Sequence, residues 1–194
     1  MVTKLSEGMD LPTFSVERSD GQPFTHEDLA GGLFALTFYR YVTCPVCNDH
    51  IAHARVHNAD IEAAGVKQVA VFHSPAAKLE RYLPAAEVPF PLLADPEFRL
   101  YELFGVQARG ATALDPRSML AGMSAMTRVR TNPFDYDGTA SMLPANFMVY
   151  EGKLLRAHYG RFIGDVWSPK QVVEYAAEDR RRLGLPVGTS DAAE

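Results

Sequence analysis

The chain has 194 residues, of which 47% are hydrophobic and 22% are charged, and this length supplies one sizeable core but not two. A formal net charge of −5 without a dense basic block argues against a nucleic-acid-binding surface. No apolar signal region opens the sequence and no stretch approaches the roughly 20 apolar residues of a membrane span, so we expect a cytoplasmic protein without membrane association. We expect a single domain over residues 1–184 and a disordered tail at 185–194.

The first part of the chain predicts an extended segment, a buried strand and a long helix. The predicted elements are an extended piece within residues 8–17, a turn at 19–22, a brief helical turn capped by Thr25, a strand at 33–40, and a helix from Pro45 to about Ala64. Gly65 then ends the helix, because glycine tolerates the left-handed backbone found there.

The second part continues the alternation of strands and helices, which is typical of an α/β domain with a largely parallel core. The predicted elements are a strand at 66–72, a helix from Ser74 to about Tyr82, a helix capped by Asp95 to about Phe104, a β-hairpin over 145–159, and a helix capped by Ser168 to about Leu183. A strand at 90–94 is short, and its prolines should confine it to an edge or an end of the sheet.

Residues 106–142 do not fit this alternation. Asp115 and Pro116 should begin a helix whose Met119, Met123 and Met126 share one face, and residues 132–138 should form a loop. We expect the methionine face to pack on the domain or on a second copy of the chain, which makes a homodimer the expected assembly; a soft-metal site is the alternative.

The sequence Cys44-Pro-Val-Cys47 follows the buried strand and opens the long helix. Unpaired backbone N–H groups and the helix dipole lower the pKa of a thiol at this position, and the thiolate is the reactive species. Two cysteines three positions apart are typical of a catalytic dithiol and cannot complete a four-coordinate zinc site alone. We therefore expect no metal and no organic cofactor. The alternative is a pair of inert, buried thiols.

Several segments together resemble the peroxiredoxin-like (AhpC/TSA-type) branch of the thioredoxin-fold family, over nearly the whole of residues 5–180. These segments are Gly8–Phe14, Asp20–Gly21, Phe38–Arg40, Cys44–Asn48, Pro89–Asp95, Phe104–Val106 and Leu143–Phe147. The resemblance implies a three-layer α/β fold with a central mixed sheet, an N-terminal extension, and an insertion before the C-terminal hairpin.

The sequence departs from the pattern Pro-x-x-x-Thr/Ser-x-x-Cys of ordinary peroxiredoxins. Cys47 falls on the peroxidatic position, Cys44 replaces the threonine, and Arg40 replaces the proline. Pro144 falls where the peroxide-binding arginine would precede the hairpin strand. These departures put peroxidase activity in doubt but leave dithiol–disulfide exchange in place.

Each sulfur receives an expected role from its place on the helix. Cys44 should be the exposed, attacking nucleophile, and Cys47, one turn deeper and partly buried, should resolve the mixed disulfide. The resemblance also implies that Pro144 is a cis-proline facing the sulfurs, the alternative being an ordinary trans proline at the start of a strand.

Three further side chains are candidates for stabilising a thiolate. Arg40 would do so through its charge, unless it pairs with an acidic residue at the end of the sheet. Thr43 would donate its hydroxyl to the sulfur, and Arg161 is a weaker candidate for the same electrostatic role as Arg40.

His50, His53 and His57 share roughly one side of the long helix. They would form a metal site with the cysteines or a proton shuttle for a leaving thiolate, and His50 is the nearest of the three to Cys47. The simpler interpretation is a partly exposed flank of the helix.

The sequence therefore predicts a thiol–disulfide oxidoreductase that cycles Cys44 and Cys47 between dithiol and disulfide. It would reduce a disulfide or a peroxide and be reduced again by a thioredoxin- or glutaredoxin-like dithiol protein. The alternative is a non-enzymatic metal-binding or redox-sensing module that uses Cys44, Cys47, His50 and His57.

Overall fold

The computed structural model describes residues 3–108, 115–129, 131–132, 135, 137, 139 and 141–186. Its strands are β1 (Ser15–Arg18), β2 (Pro23–Thr25), β3 (Leu33–Phe38), β4 (Val66–Phe72), β5 (Leu92–Ala94), β6 (Ala145–Tyr150) and β7 (Lys153–Tyr159). Its α-helices are α1 (Pro45–Val56), α2 (Asn58–Ala63), α3 (Ala76–Tyr82), α4 (Arg99–Leu103), α5 (Pro116–Met126) and α6 (Pro169–Leu183), with short 3-10 helices at His26–Leu29 and Ala85–Glu87.

The strands form one mixed sheet in the order β2-β1-β5-β4-β3-β6-β7. The pairs β3–β4 and β4–β5 are parallel, and the remaining pairs are antiparallel. Side chains alternate across β3: Leu36 and Phe38 enter the core that includes residues of α4, whereas Tyr39, just beyond the strand, joins the core that includes residues of α1 and α3. The sheet is thus the middle of three layers, as predicted.

Local sequence signals place most of these elements where they were expected. The strand over 66–72, the hairpin and the final helix are confirmed, and the side chain of Ser168 accepts from the N–H of Gln171 as its cap. Thr25 and Asp28 form the predicted capping box. Among the described residues, no helix is long and apolar enough to cross a membrane. The predicted tail lies largely outside the described residues.

Several details differ from the prediction, including the end of β3 at Phe38 and the start of α3 at Ala76. The long helix is interrupted at His57, which separates α1 from α2. Strand β5 lies inside the sheet rather than at an edge, because both nearby prolines precede its first residue and leave its ladder intact. Helix α4 begins only at Arg99; Asp95 still caps it, since its carboxylate accepts the N–H groups of Arg99, Leu100 and Tyr101.

Helix α5 turns its methionine face to solvent. Met119, Met123 and Met126 are 55%, 68% and 58% exposed, and the helix buries Ser118 and Ala125 instead. The prediction that the methionines pack on the domain is therefore wrong. The homodimer stays a prediction.

Candidate active site

The turn between β3 and α1 brings both cysteines to one helix N-terminus. Cys44 is the N-cap residue of α1, with Pro45 at the first helical position, and its Sγ accepts the backbone N–H of Cys47 at 3.5 Å. The Nη1 atom of Arg40 donates to the same sulfur at 3.6 Å. Cys44 therefore receives hydrogen bonds from the helix end and from a guanidinium.

The two thiols have opposite pKa shifts. Burial raises the pKa of Cys44, but the hydrogen bond from the Cys47 thiol, the Arg40 charge and nearby N–H groups outweigh it and lower that pKa to about 7. Burial, followed by the interaction with Cys44, raises the pKa of Cys47 well above its ordinary value. Of the two thiols, Cys44 therefore ionises first, and its thiolate accepts a hydrogen bond from Cys47.

Both sulfurs are enclosed, and the prediction of an exposed Cys44 is wrong. Cys44 is 1% exposed and Cys47 is 4% exposed. They belong to a cluster of buried apolar residues that includes Tyr39, Val42 and Phe72. Sequence position predicted the helix end correctly, but the enclosure depends on residues distant in the chain.

Arg40 lies where the sequence placed it, beside the reactive turn. It is 5% exposed, and its guanidinium lies 5.0 Å from the centre of the Tyr41 ring. Arg161 is different: its side chain is 72% exposed and it binds Asp165 at 3.2 Å. The expectation that Arg161 acts on the sulfurs is therefore wrong.

The Thr43 hydroxyl does not serve a sulfur as predicted. It donates to the backbone carbonyl of Asp135 at 2.8 Å, and Lys78 Nζ donates to the same oxygen at 2.6 Å. The carboxylate of Asp135 pairs with Lys78 at 3.1 Å and accepts from the Tyr82 hydroxyl. Thr43 thus ties the reactive turn to the loop that follows α5.

Pro144 immediately precedes β6, and the resemblance implied a cis peptide bond there. None of the peptide bonds among the described residues is cis, so that expectation is wrong and the alternative of a trans proline at the strand start holds. Its carbonyl accepts the N–H of Gly160 at 2.8 Å, which joins it to the end of β7.

The three histidines of the α1–α2 segment do not act as one group. His50 Nε2 lies 2.7 Å from the carbonyl oxygen of Trp167, so this nitrogen carries the proton, and Nδ1 accepts from the Tyr39 hydroxyl at 2.6 Å. Burial lowers the pKa of His50 to about 4, which keeps it neutral. His53 lies 3.9 Å from Asp49, and His57 lies 3.1 Å from Asp60. Within the described residues, no group of three or more His, Cys, Asp or Glu side chains is arranged to hold a metal ion.

Sequence reasoning missed His73, which follows the last residue of β4. It is 2% exposed, and its backbone N–H donates to the carbonyl of Arg40 at 3.4 Å. The available signal was its position, because polar residues at the carboxyl ends of adjacent parallel strands meet at one edge of the sheet.

One cleft borders the helix that follows the reactive turn, and another lies beside α4. One, of about 530 Å³, is lined by α1, α5 and the segment before α6 and includes Val46 and His50; neither cysteine lines it. The other, of about 450 Å³, lies against α4 and includes Phe98 and Tyr101. The volume of a cleft therefore does not locate the candidate active site, which is defined by the two sulfurs and their hydrogen-bond donors.

The chain is similar to a protein-family model and to curated proteins that have peroxiredoxin names. The sequence model of the AhpC/TSA family matches residues 8–156. A Mycobacterium tuberculosis (strain H37Rv) protein with a peroxiredoxin name is 27% identical over 103 residues, which cover 53% of this chain and 66% of that protein. The bcp protein of Haemophilus influenzae, also named as a peroxiredoxin, is 24% identical over 102 residues, with the same two coverages of 53% and 66%. The chain therefore spans just under two thirds of the length of these curated relatives.

Solved structures are similar over nearly the whole chain. AhpC of Enterococcus faecalis superposes with a TM-score of 0.68 at 18% identity, covering 95% of this chain and 99% of that one. The peroxidoxin BcpB of Mycobacterium tuberculosis gives a TM-score of 0.63 at 16% identity, covering 92% and 98%. These similarities confirm the predicted fold.

Proposed function

The chain belongs to the AhpC/TSA family, and from that premise we propose that it is a thiol-dependent oxidoreductase that cycles Cys44 and Cys47 between dithiol and disulfide. Cys44 is the attacking thiolate and Cys47 is the resolving thiol. A cellular dithiol protein of the thioredoxin or glutaredoxin kind returns the disulfide to the dithiol form.

One observation carries the proposal: the Cys44 sulfur accepts from both Arg40 and the Cys47 N–H, and its pKa is about 7. A thiol with a pKa near the ambient pH combines a substantial thiolate fraction with high intrinsic nucleophilicity. The Cys47 thiol lies next to it and has a raised pKa, so Cys44 is the thiolate of the pair at first, and Cys47 gives up its proton when it attacks the oxidised Cys44.

A small peroxide fits this site better than a protein disulfide. With Cys44 only 1% exposed, a folded partner can bring its sulfur into contact only if the turn opens, which reduction of the disulfide by a dithiol protein also requires, whereas attack on a small peroxide does not require contact with a folded partner. The Arg40 guanidinium supplies positive charge at the sulfur, although it comes from the position of a proline in ordinary peroxiredoxins. This positive charge would replace that of the peroxide-binding arginine, whose position in ordinary peroxiredoxins is occupied here by Pro144.

The proposed cycle balances in three steps. The Cys44 thiolate attacks one oxygen of R–O–O–H, the O–O bond breaks, and the products are Cys44–SOH and, after protonation by water, R–OH. The Cys47 thiol then attacks Cys44–SOH, which forms the disulfide and releases water. The external dithiol finally transfers two electrons and two protons, and leaves as its own disulfide.

The test is peroxide consumption by the full chain with a dithiol reductant, comparing wild type, Cys44→Ser and Cys47→Ser. We expect no turnover for Cys44→Ser. For Cys47→Ser we expect a sulfenic acid on Cys44 that dimedone traps and mass spectrometry locates. Reduction of insulin disulfides, measured in parallel, should be slow because the sulfurs are enclosed. Full peroxide turnover by Cys44→Ser would refute the assignment.

A further inference from the structure

His73 is a buried histidine that the proposed chemistry does not yet use. It is 2% exposed, and within the described part of the chain neither of its ring nitrogens has a hydrogen-bond partner. Almost all buried polar side-chain atoms are hydrogen-bonded, since an unpaired buried donor or acceptor lowers stability. An exception of this kind, in a residue whose backbone is bonded to Arg40, calls for a functional explanation.

The backbone places His73 beside Arg40. In the parallel pair of β3 and β4, the last ladder partners are Phe38 and Val71. Beyond the strands, the His73 N–H donates to the Arg40 carbonyl at 3.4 Å, one residue further along than a continued ladder would place the bond. At its other end, the Arg40 side chain donates to Cys44 Sγ at 3.6 Å.

The His73 ring is surrounded by aromatic side chains. The ring stacks on Phe98 with centroids 4.9 Å apart and meets Tyr101 and Tyr41 edge-on at 5.9 and 6.0 Å. Phe98 and Tyr101 also line the cleft of about 450 Å³ beside α4. These contacts hold the ring in one orientation, and two of these aromatic neighbours separate it from that cleft.

We infer that His73 donates a hydrogen bond to the oxygen that leaves the peroxide when Cys44 attacks. The inference rests on the proposed peroxide reduction and deepens it by assigning a residue to the leaving group. As the S–O bond forms and the O–O bond breaks, the sulfur is oxidised to Cys44–SOH and the second oxygen departs as R–O⁻. A neutral imidazole N–H stabilises that developing charge, and water then supplies the proton that gives R–OH.

Two oxidants with different leaving groups separate this role from a structural one. tert-Butyl hydroperoxide releases a strongly basic alkoxide, whereas peracetic acid releases acetate, which needs little stabilisation. The experiment measures single-turnover loss of protein thiol by quenched flow for reduced wild type, His73→Phe and His73→Asn. His57→Gln is the matched control, because His57 is a histidine of the α1–α2 junction that pairs with Asp60 at 3.1 Å.

For His73→Phe we expect the rate of thiol oxidation to fall by about 10²-fold with tert-butyl hydroperoxide and by less than about threefold with peracetic acid. The larger value is typical of removing one preorganised hydrogen-bond donor. His73→Asn keeps an N–H donor and should retain more activity than His73→Phe. The phenyl ring suits the aromatic site, so the melting temperature of His73→Phe should equal or exceed that of wild type.

An equal decrease in rate with both oxidants would show that His73 has a structural role. No decrease with either oxidant would show that His73 does not contact the leaving oxygen. Either result would overturn this inference and leave the proposed function intact. A wild type that reacts with neither oxidant would instead overturn the proposed function, and the inference with it.

Discussion

Removing the charge of Arg40 should raise the pKa of Cys44. The guanidinium donates to the sulfur at 3.6 Å, and both residues are buried, so water screens the interaction poorly. Arg40→Met keeps a long side chain and loses both the charge and the hydrogen bond. The other donors to the sulfur, which include the Cys47 N–H and the Cys47 thiol, are unchanged by the substitution.

The size of the effect follows from the energy of one charged hydrogen bond. Such a bond contributes about 1.5–3 kcal/mol, which corresponds to roughly 1–2 pKa units. With a pKa of about 7, half of Cys44 is thiolate at pH 7. In Arg40→Met the thiolate fraction at pH 7 should fall to about 1–10%, and peroxide reduction at that pH should slow by about 5–50-fold.

The assay is a pH titration of thiolate absorbance at 240 nm, with the rate of iodoacetamide alkylation followed over the same range. Cys47→Ser provides the background in which Cys44 titrates alone. Arg161→Met is the control, because Arg161 binds Asp165 and its side chain is 72% exposed. An unchanged Cys44 titration in Arg40→Met would refute the electrostatic argument.

Three further substitutions test other parts of the structure. In the folded chain the pKa of His50 is about 4, below its ordinary value, so the unfolded chain binds the proton first as the pH falls. The stability of the fold should therefore decrease as the pH drops from about 6.5 towards 4. Thermal unfolding should show a smaller decrease in melting temperature between pH 7 and pH 5 for His50→Gln than for wild type. Thr43→Val should lower the free energy of unfolding in urea by about 1 kcal/mol and leave the pKa of Cys44 unchanged, because the Thr43 hydroxyl donates to a carbonyl and not to the sulfur. A shift in the Cys44 titration would contradict this prediction. Arg156→Met should destabilise the fold by about 3 kcal/mol in urea unfolding, because Arg156 Nε donates at 2.7 Å to Asp179, whose side chain is 1% exposed and would keep only the longer contact with Arg182 at 3.9 Å. Adding Asp179→Leu should restore much of the lost stability in the same assay.

Local patterns in the sequence were sufficient for most of the fold. The valine-rich strand over 66–72, the hairpin, and the helix opened by Pro45 each follow from signals within about ten residues. The cysteine pair was placed correctly because a cap residue and a proline define a helix start. The same signals put Arg40 near the sulfurs, since it directly precedes the turn.

The rest of the site depends on contacts between distant parts of the chain. The partner of the Thr43 hydroxyl is 92 residues away, in a loop whose path no local pattern reveals. The position of His73 beside Arg40 requires the register of two parallel strands, which the sequence of either strand alone does not specify. The enclosure of Cys44 likewise arises only when the layers pack together.

The bond between His50 and the carbonyl of Trp167 also provides a natural optical probe. Trp167 is the single tryptophan of the chain; it is 6% exposed, and its ring lies 5.1 Å from that of Tyr175. Its backbone is attached through His50 to the helix that carries both sulfurs. The proposed disulfide would join two sulfurs at the first turn of that helix, so we expect the emission of Trp167 to change on oxidation and to recover on reduction. The proposed cycle could then be followed in real time by fluorescence, without a label and without altering any residue.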